Sequence, residues 1–280
     1  MKSRWTKVIV VILVALICAF AVFPFVWMLS TSFKPATEIY TANPSFIPQD
    51  PTIEGYKDMI FSQSRNFNLL NWAKNSVIVS VATTFFSLVI AALGGYGMSR
   101  FRFAGRAALG YIILMTQVLP GSLLIIPLYV ILNSLGLLDS LAALVIAYTT
   151  FSVPFCTWMM KGFFDTIPRS LDEAASVDGC GKLRTYLTVI LPLTIPGLVA
   201  TGIFSFIAGW NEFMFASIFV QKYGNWTLPV GIAETAVGQY STNWTNLMAG
   251  GVLIALPVVI LFLLLQKHLV SGMTAGAVKQ

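Results

Sequence analysis

Charge is what this sequence has least of. Only 10% of its 280 residues are Asp, Glu, Lys or Arg, against 57% hydrophobic residues, where a soluble domain carries about 25% charged residues. Such a chain cannot cover a water-facing surface, which excludes an ordinary soluble domain and leaves an integral membrane protein. Histidine is almost missing. The single one, His268, stands beside Lys267 at the end of an apolar run, where a boundary residue fits better than a ligand without partners. The three cysteines, Cys18, Cys156 and Cys180, match the spacing of neither a disulfide framework nor a metal site. No paired carboxylates, Ser–His pair or metal-ligand cluster falls in the apolar segments, so no catalytic residue and no metal are expected. A phosphate-binding loop requires G-x-x-x-x-G-K-[ST]. The nearest string, around Gly181-Lys182, has Ser176 at its first position and Leu183 at its last, and fails at both ends. This chain is not expected to bind ATP by that route.

Six segments reach the ~20 apolar residues that a spanning helix needs: residues 8–29, 75–96, 107–132, 141–160, 191–220 and 247–265. The third and fifth exceed a straight span, which predicts tilt or a bend. The first follows a basic start (Lys2, Arg4, Lys7), but its apolar run is longer than a signal core and no cleavage site stands out, so it reads as a retained anchor. Orientation follows from Lys and Arg. With the N-terminus inside, Lys34, Lys57, Arg65, Lys74 and Lys222 lie outside, and the other twelve of the 17 basic residues lie inside. That bias places both termini in the cytoplasm. It also explains the net charge of +6 without nucleic acid as a partner. The outer stretch 30–74, with Pro35, Pro44, Pro48 and Pro51, is too long for a turn and predicts a cap or short helices. Asn225 and Asn243 begin Asn-Trp-Thr triplets that fit the glycosylation pattern, which is too short to act on. Pro24, Pro120, Pro127, Pro154, Pro196 and Pro257 interrupt the spans. They suit moving helices, and equally the ordinary frequency of proline in membrane helices.

One internal loop is unusually polar: Ser170-Leu-Asp-Glu173-Ala-Ala-Ser-Val-Asp178-Gly179, followed at residues 190–196 by Ile-Leu-Pro-Leu-Thr-Ile-Pro. Pro168 stops the preceding helix. Ser170 and Glu173 predict a capping box, Leu171, Glu173, Ala174 and Ala175 are helix formers, and Asp172 and Glu173 suit the positive helix start. Gly179 predicts the stop. Ala174 and Ala175 would let another protein approach closely. On periodicity alone, a solvated loop helix and a docking helix are equally good readings.

The string Glu173-Ala-Ala-Ser-Val-Asp178-Gly179 with Ile190-Leu-Pro192-Leu-Thr-Ile-Pro196-Gly resembles the EAA loop of the membrane subunits of ATP-binding-cassette importers. The likeness extends through Gly95-Tyr-Gly-Met-Ser-Arg100-Phe-Arg-Phe-Ala-Gly105, Leu119-Pro120, Ile126-Pro127-Leu-Tyr129, Leu135-Gly-Leu137, Gly209-Trp-Asn211-Glu212-Phe213 and Thr274-Ala-Gly-Ala-Val-Lys279. These are similar to the carbohydrate branch, and most to its maltose-type second permease subunit, although this chain ends in Gln280 where that type usually ends in Gly. The resemblance implies an all-α, six-span permease with a cytoplasmic EAA coupling loop in a bacterial inner membrane. It also implies a division into an anchor and outer loop (1–70), a five-span core (71–268, coupling loop 161–195) and a cytoplasmic tail (269–280). Glu173, Ala174, Asp178 and Gly179 would be the coupling residues. Partners would be a second homologous permease, two ATPase subunits that bind ATP and Mg, an external solute-binding protein and a sugar or oligosaccharide. In this family most cargo contacts come from the other permease.

Glu212 is the one acid well inside an apolar run. A charge there costs at least ~2.5 kcal/mol, so such a residue usually faces a cavity. Trp210, Asn211 and Glu212 could line a cavity mouth, with Gln117 and Asn133 as weaker candidates; the alternative is that Glu212 is structural, pairing across an interface or accepting from a backbone N–H. No Lys or Arg lies deep in a span, which fits a neutral cargo such as a sugar better than a phosphorylated one. A glycerol-phosphate or polyol importer is the alternative within this class. A stand-alone channel or ion-coupled carrier is the rival outside it, and would show internal repeats that are not evident here.

Overall fold

Long apolar runs leave the backbone no hydrogen-bond partner but itself, so they form helices. The computed structural model describes residues 4–41, 45–61, 68–237 and 242–277, with the side chains of residue 4 and of 267–277 left out. Lys2, Pro44, Arg65 and Lys279, and the side chains of Arg4, Lys267 and His268, therefore lie outside what is described. No strand occurs among the described residues, where the one β pairing is an isolated bridge between Val237 and Thr242. Among the described residues, four helices are long and apolar enough to cross a membrane, or up to six if each of two bent pairs is one span.

The chain falls into two compact units, Met1–Leu70 with Gly231–Leu256, and Asn71–Val230 with Pro257–Gln280. In the first, α1 (Arg4–Ser32) leads into the short helices α2 (Ala36–Ile39) and α3 (Glu54–Phe61). Residues 8–25 of α1 are exposed on every side, as lipid contact demands of an apolar helix. Lys34, expected at the outer surface, is only 2% exposed. Its Nζ donates to the Ser45 carbonyl and sits 5.1 Å from the centre of the Trp27 ring, which satisfies the buried charge.

The second unit holds α4 (Leu69–Arg100), α5 (Arg106–Thr116), α6 (Ile125–Ser134), α7 (Leu141–Thr166), α8 (Ser170–Val177), α9 (Lys182–Thr185), α10 (Leu191–Leu193), α11 (Ile195–Trp210) and α12 (Met214–Phe219). Helix α4 through its first two residues, and helices α13 (Leu228–Ala236) and α14 (Trp244–Ala277), contribute to both units. The two over-long apolar runs are broken rather than straight. The segment through α5 turns by 93° into Gly121–Ser134, and Lys182–Leu193 turns by 76° into α11. Proline sits at each break. Pro120 precedes a 3-10 turn (Gly121–Leu124), and Pro196 lies in the first turn of α11, where its missing N–H costs nothing. A π-helical turn, Tyr186–Ile190, joins α9 to α10. Pro24, Pro154 and Pro257, by contrast, remain inside α1, α7 and α14. Beyond Trp210 the apolar run 191–220 leaves the helix at Asn211–Phe213 before α12.

Among the described residues, two hydrophobic clusters hold this unit together. One packs Val79, Leu144, Tyr148, Phe215 and Phe219. The other packs Ala91, Tyr96, Cys156, Met160, Phe164, Tyr186 and Ile190. Asp139, at φ +58, closes the loop before α7. Its carboxylate accepts from the N–H groups of Gln221 (2.6 Å) and Lys222 (3.0 Å), and these bonds hold it below the usual carboxylate range.

Candidate functional site

The polar loop after α7 forms the predicted short helix, but its start differs from expectation. Helix α8 has Arg169 as its N-cap with no side-chain cap, and the Glu173 N–H donates to the Arg169 carbonyl at 3.2 Å. The capping box predicted for Ser170 and Glu173 is not formed, because Ser170 already lies inside the helix. The other end agrees with the sequence. The Cys180 N–H reaches the Ala175 carbonyl (2.9 Å) and the Gly179 N–H reaches the Ser176 carbonyl (3.1 Å), a Schellman closure. It requires a left-handed residue, and Gly179 supplies it at φ +80.

Glu173, Ala174, Asp178 and Gly179 all lie on the exposed side of this helix and turn. Val177 between them is 87% exposed, an apolar tip in a polar setting. Ala175, grouped with Ala174 in the sequence reading, faces inward and is buried. Asp172 also turns inward. It pairs with Arg100 at the end of α4 (3.1 Å) and accepts from the Tyr96 hydroxyl at 3.4 Å. Arg100 donates to the Ile167 carbonyl (2.9 Å), and Arg169 donates to the Ser99 carbonyl (3.2 Å). Ser99 donates to Asp165 (2.6 Å), which also pairs with Lys161 at 2.6 Å. These polar contacts bolt α8 to the ends of α4 and α7. Beneath them Tyr96 packs on Tyr186 (ring centres 4.7 Å apart) and Phe164 (5.6 Å). Motion imposed on α8 therefore meets two long helices through short, stiff contacts. In sequence, Asp172 reads only as a favourable charge for the helix start. The paired Arg lies 72 positions away, and nothing local announces it.

A cavity of about 280 Å³ lies among α4, α7 and α11. It brings Gln117 and Glu212 together with Thr83, Tyr148, Ser152 and Ser205, and with the aromatic walls Phe151, Phe155, Phe204 and Phe215. The Ser152 and Ser205 hydroxyls bond across it at 2.8 Å, and Phe155 meets Phe204 at 4.2 Å between ring centres. Trp210 is not on its wall. It is 2% exposed and stacks on Phe206 at 5.8 Å. Asn211 is exposed at the helix break, and Asn133 is exposed on α6; neither lines the cavity. Glu212 borders the cavity and caps a helix at once. Its oxygens accept from the N–H groups of Phe215 (2.8 Å) and Ala216 (3.1 Å) at the start of α12. The missed residues had a signal: Tyr148, Ser152 and Phe155 recur at i, i+4, i+7, which is one face of a helix. The cavity surfaces are apolar faces with a few hydroxyls, a carboxamide and a carboxylate, the mixture that suits a neutral polar ligand.

Residues 87–275 match the family of binding-protein-dependent transport system inner membrane components. The chain belongs to this family. Two relatives are similar to the permease along nearly its whole length. One is the diacetylchitobiose uptake system permease protein DasC of Streptomyces coelicolor, 38% identical over 262 residues, 92% of each chain. The other is the trehalose/maltose transport system permease protein MalG of Thermococcus litoralis, 35% identical over 277 residues, 99% of this chain and 97% of that one. Among solved structures, a chain of a bacterial ABC transporter that imports the acidic polysaccharide alginate superposes with a TM-score of 0.78 at 22% identity, covering 96% of this permease and 99% of that chain. That likeness is one of fold.

Proposed function

We propose that this permease is one membrane half of an ATP-driven, binding-protein-dependent importer of a sugar or oligosaccharide, and that α8 is its coupling element. The observation that carries the coupling role is the anchored helix itself. Glu173, Ala174, Asp178 and Gly179 face outward on an exposed helix and turn, while Asp172 on the opposite side locks that helix to α4. An exposed tip with a fixed base suits a lever between a partner and the spans. The cargo reading rests on the relatives, named for diacetylchitobiose and trehalose/maltose uptake, and on a cavity whose aromatic faces and hydroxyls match sugar rings.

In this reading the bent pairs each count as one span, giving six, with both termini and α8 in the cytoplasm. A second, homologous permease completes the cavity, two ATPase subunits bind ATP and Mg, and an external solute-binding protein delivers the cargo. ATPase closure pulls on α8, and the Arg100–Asp172 contact passes that movement to α4. The spans then open to the other side.

Two experiments test this. The chain, tagged and extracted from native membranes in mild detergent, should bring down an ATP-binding-cassette ATPase and a second permease; a chain that emerges alone, intact and folded, favours a stand-alone carrier. In the assembled complex, Gly179→Pro or Glu173→Lys should stop uptake while insertion persists, and full uptake by both variants removes the coupling role.

A further inference from the structure

A second, larger cavity of about 650 Å³ lies away from the proposed path, walled by the end of α4, the loop into α5 and one face of α7. Three cations line it: Arg102, Arg106 and Lys161. Lys161 pairs with Asp165 at 2.6 Å and lies 5.6 Å from the centre of the Trp158 ring. Among the described residues neither Arg102 nor Arg106 has a carboxylate within 4.0 Å, and Asp165 acts on Arg106 only at longer range. Even with Asp165 counted against them, the cavity keeps a surplus of positive charge that no carboxylate among the described residues pairs with. Helix α5 starts at the same wall, at Gly105–Arg106, with no side chain capping its first N–H groups. Those groups add a further positive pole.

The rest of the wall is aromatic. Phe103, Tyr111 and Trp158 are all exposed there. One turn on, Met115 follows Tyr111 by four residues on the same side of α5 and is also exposed. A cationic mouth with an aromatic rim that opens onto an apolar helix face has the chemistry of a phospholipid: a phosphate for the guanidinium groups, acyl chains for the apolar face. A soluble anion would leave that face without an occupant.

We propose that this cavity binds the phosphate headgroup of an anionic phospholipid in the cytoplasmic leaflet, with Arg102 and Arg106 as its principal contacts and the acyl chains along Tyr111 and Met115. The leaflet follows from the orientation proposed above, whereas binding itself depends on neither the cargo nor the coupling role. A lipid held at the junction of α4, α5 and α7 would tie the membrane's charge to the helices that carry α8.

The test uses the whole transporter, purified with its partner subunits, stripped of lipid in detergent and titrated with phosphatidylglycerol under native mass spectrometry. The wild type should retain at least one phosphatidylglycerol more than R102Q/R106Q, with about tenfold tighter binding. Arg184→Gln, at a cytoplasmic arginine outside the cavity, should behave as wild type. R102Q alone, at an exposed position, should show a smaller loss and serves if the double variant does not assemble. Equal retention by wild type and R102Q/R106Q overturns the proposal. So does complete displacement of the lipid by a few millimolar inorganic phosphate, which would make this a soluble-anion site. Protection of Arg102 and Arg106 from a guanidine-reactive reagent in the lipid-free complex also overturns it, because a partner subunit then covers the wall.

Discussion

The bond between α8 and α4 can be broken one atom at a time. Asp172→Asn removes the charge and keeps the shape. The pair is 3.1 Å apart, and its side chains are only 7% (Arg100) and 18% (Asp172) exposed. At an effective dielectric constant near 20, the direct attraction is about 5 kcal/mol. Desolvation of both ions offsets much of that, but the loss of one partner leaves the other buried and alone, which costs about 3–5 kcal/mol. Arg100 keeps its bond to the Ile167 carbonyl and Asp172 keeps some water, so the lower end applies, ~3 kcal/mol. Since about 1.4 kcal/mol is tenfold in an equilibrium, local opening of α8 should rise by roughly two powers of ten. Amide hydrogen exchange of residues 169–181 in the assembled transporter reads this directly. Arg100→Gln should do the same, and the double variant R100Q/D172N should exchange more slowly than the two effects multiplied, with a coupling of at least ~1 kcal/mol. ATP hydrolysis should persist in Asp172→Asn while uptake falls. Exchange unchanged in Asp172→Asn, or strictly additive effects, would refute the anchor. Faster exchange with undiminished uptake would keep the anchor and discard it as the transmission route.

Other contacts make sharper or simpler predictions. A Cβ on Gly95 would lie 2.8 Å from the Lys161 backbone nitrogen, whereas one on Gly97 meets nothing within 4 Å; Gly95→Ala should melt several degrees below Gly97→Ala, because overpacking costs about 1–3 kcal/mol and the helix-propensity gain is common to both. Gly179→Ala should weaken the end of α8 by about 1 kcal/mol, since a Cβ at φ +80 is strained, and should speed exchange of the Gly179 and Cys180 amides. Glu212→Ala should cost about 1 kcal/mol as a lost cap for α12; Glu212→Gln separates the roles, because a raised half-saturation for uptake marks contact with cargo, and an unchanged one leaves Glu212 a cap alone. For Asp139 the sign is that of a lowered carboxylate: its hold on Gln221 and Lys222 is complete above its unfolded value near 3.8 and fades as pH falls below it, so the protection of those two amides relative to their intrinsic exchange rates should fall below about pH 4, and Asp139→Ala should abolish that dependence.

Composition and period alone determined that this is a helical membrane protein, because a chain with 10% charged residues has no other way to satisfy its surface or its backbone. The end of α8 was equally legible: Gly179 closes a helix for local reasons of backbone geometry, and local rules are written in neighbouring residues. The start of α8 was not, because Arg169 is drawn toward Ser99 and the helix begins at Ser170, a tertiary contact overriding a local box. The over-long apolar runs announced a bend, while the angles of 93° and 76° came from packing. Trp210 and Glu212 stand two residues apart in sequence, yet one is buried against Phe206 and the other borders the cavity. Side-chain direction is set by helix phase and by the break after residue 210, and hydropathy carries no information about either. The same holds for Asp172 and Arg100. An ion pair across 72 positions has no sequence period, so only the fold could decide that the charge beside the exposed tip of α8 is the one that fastens it down.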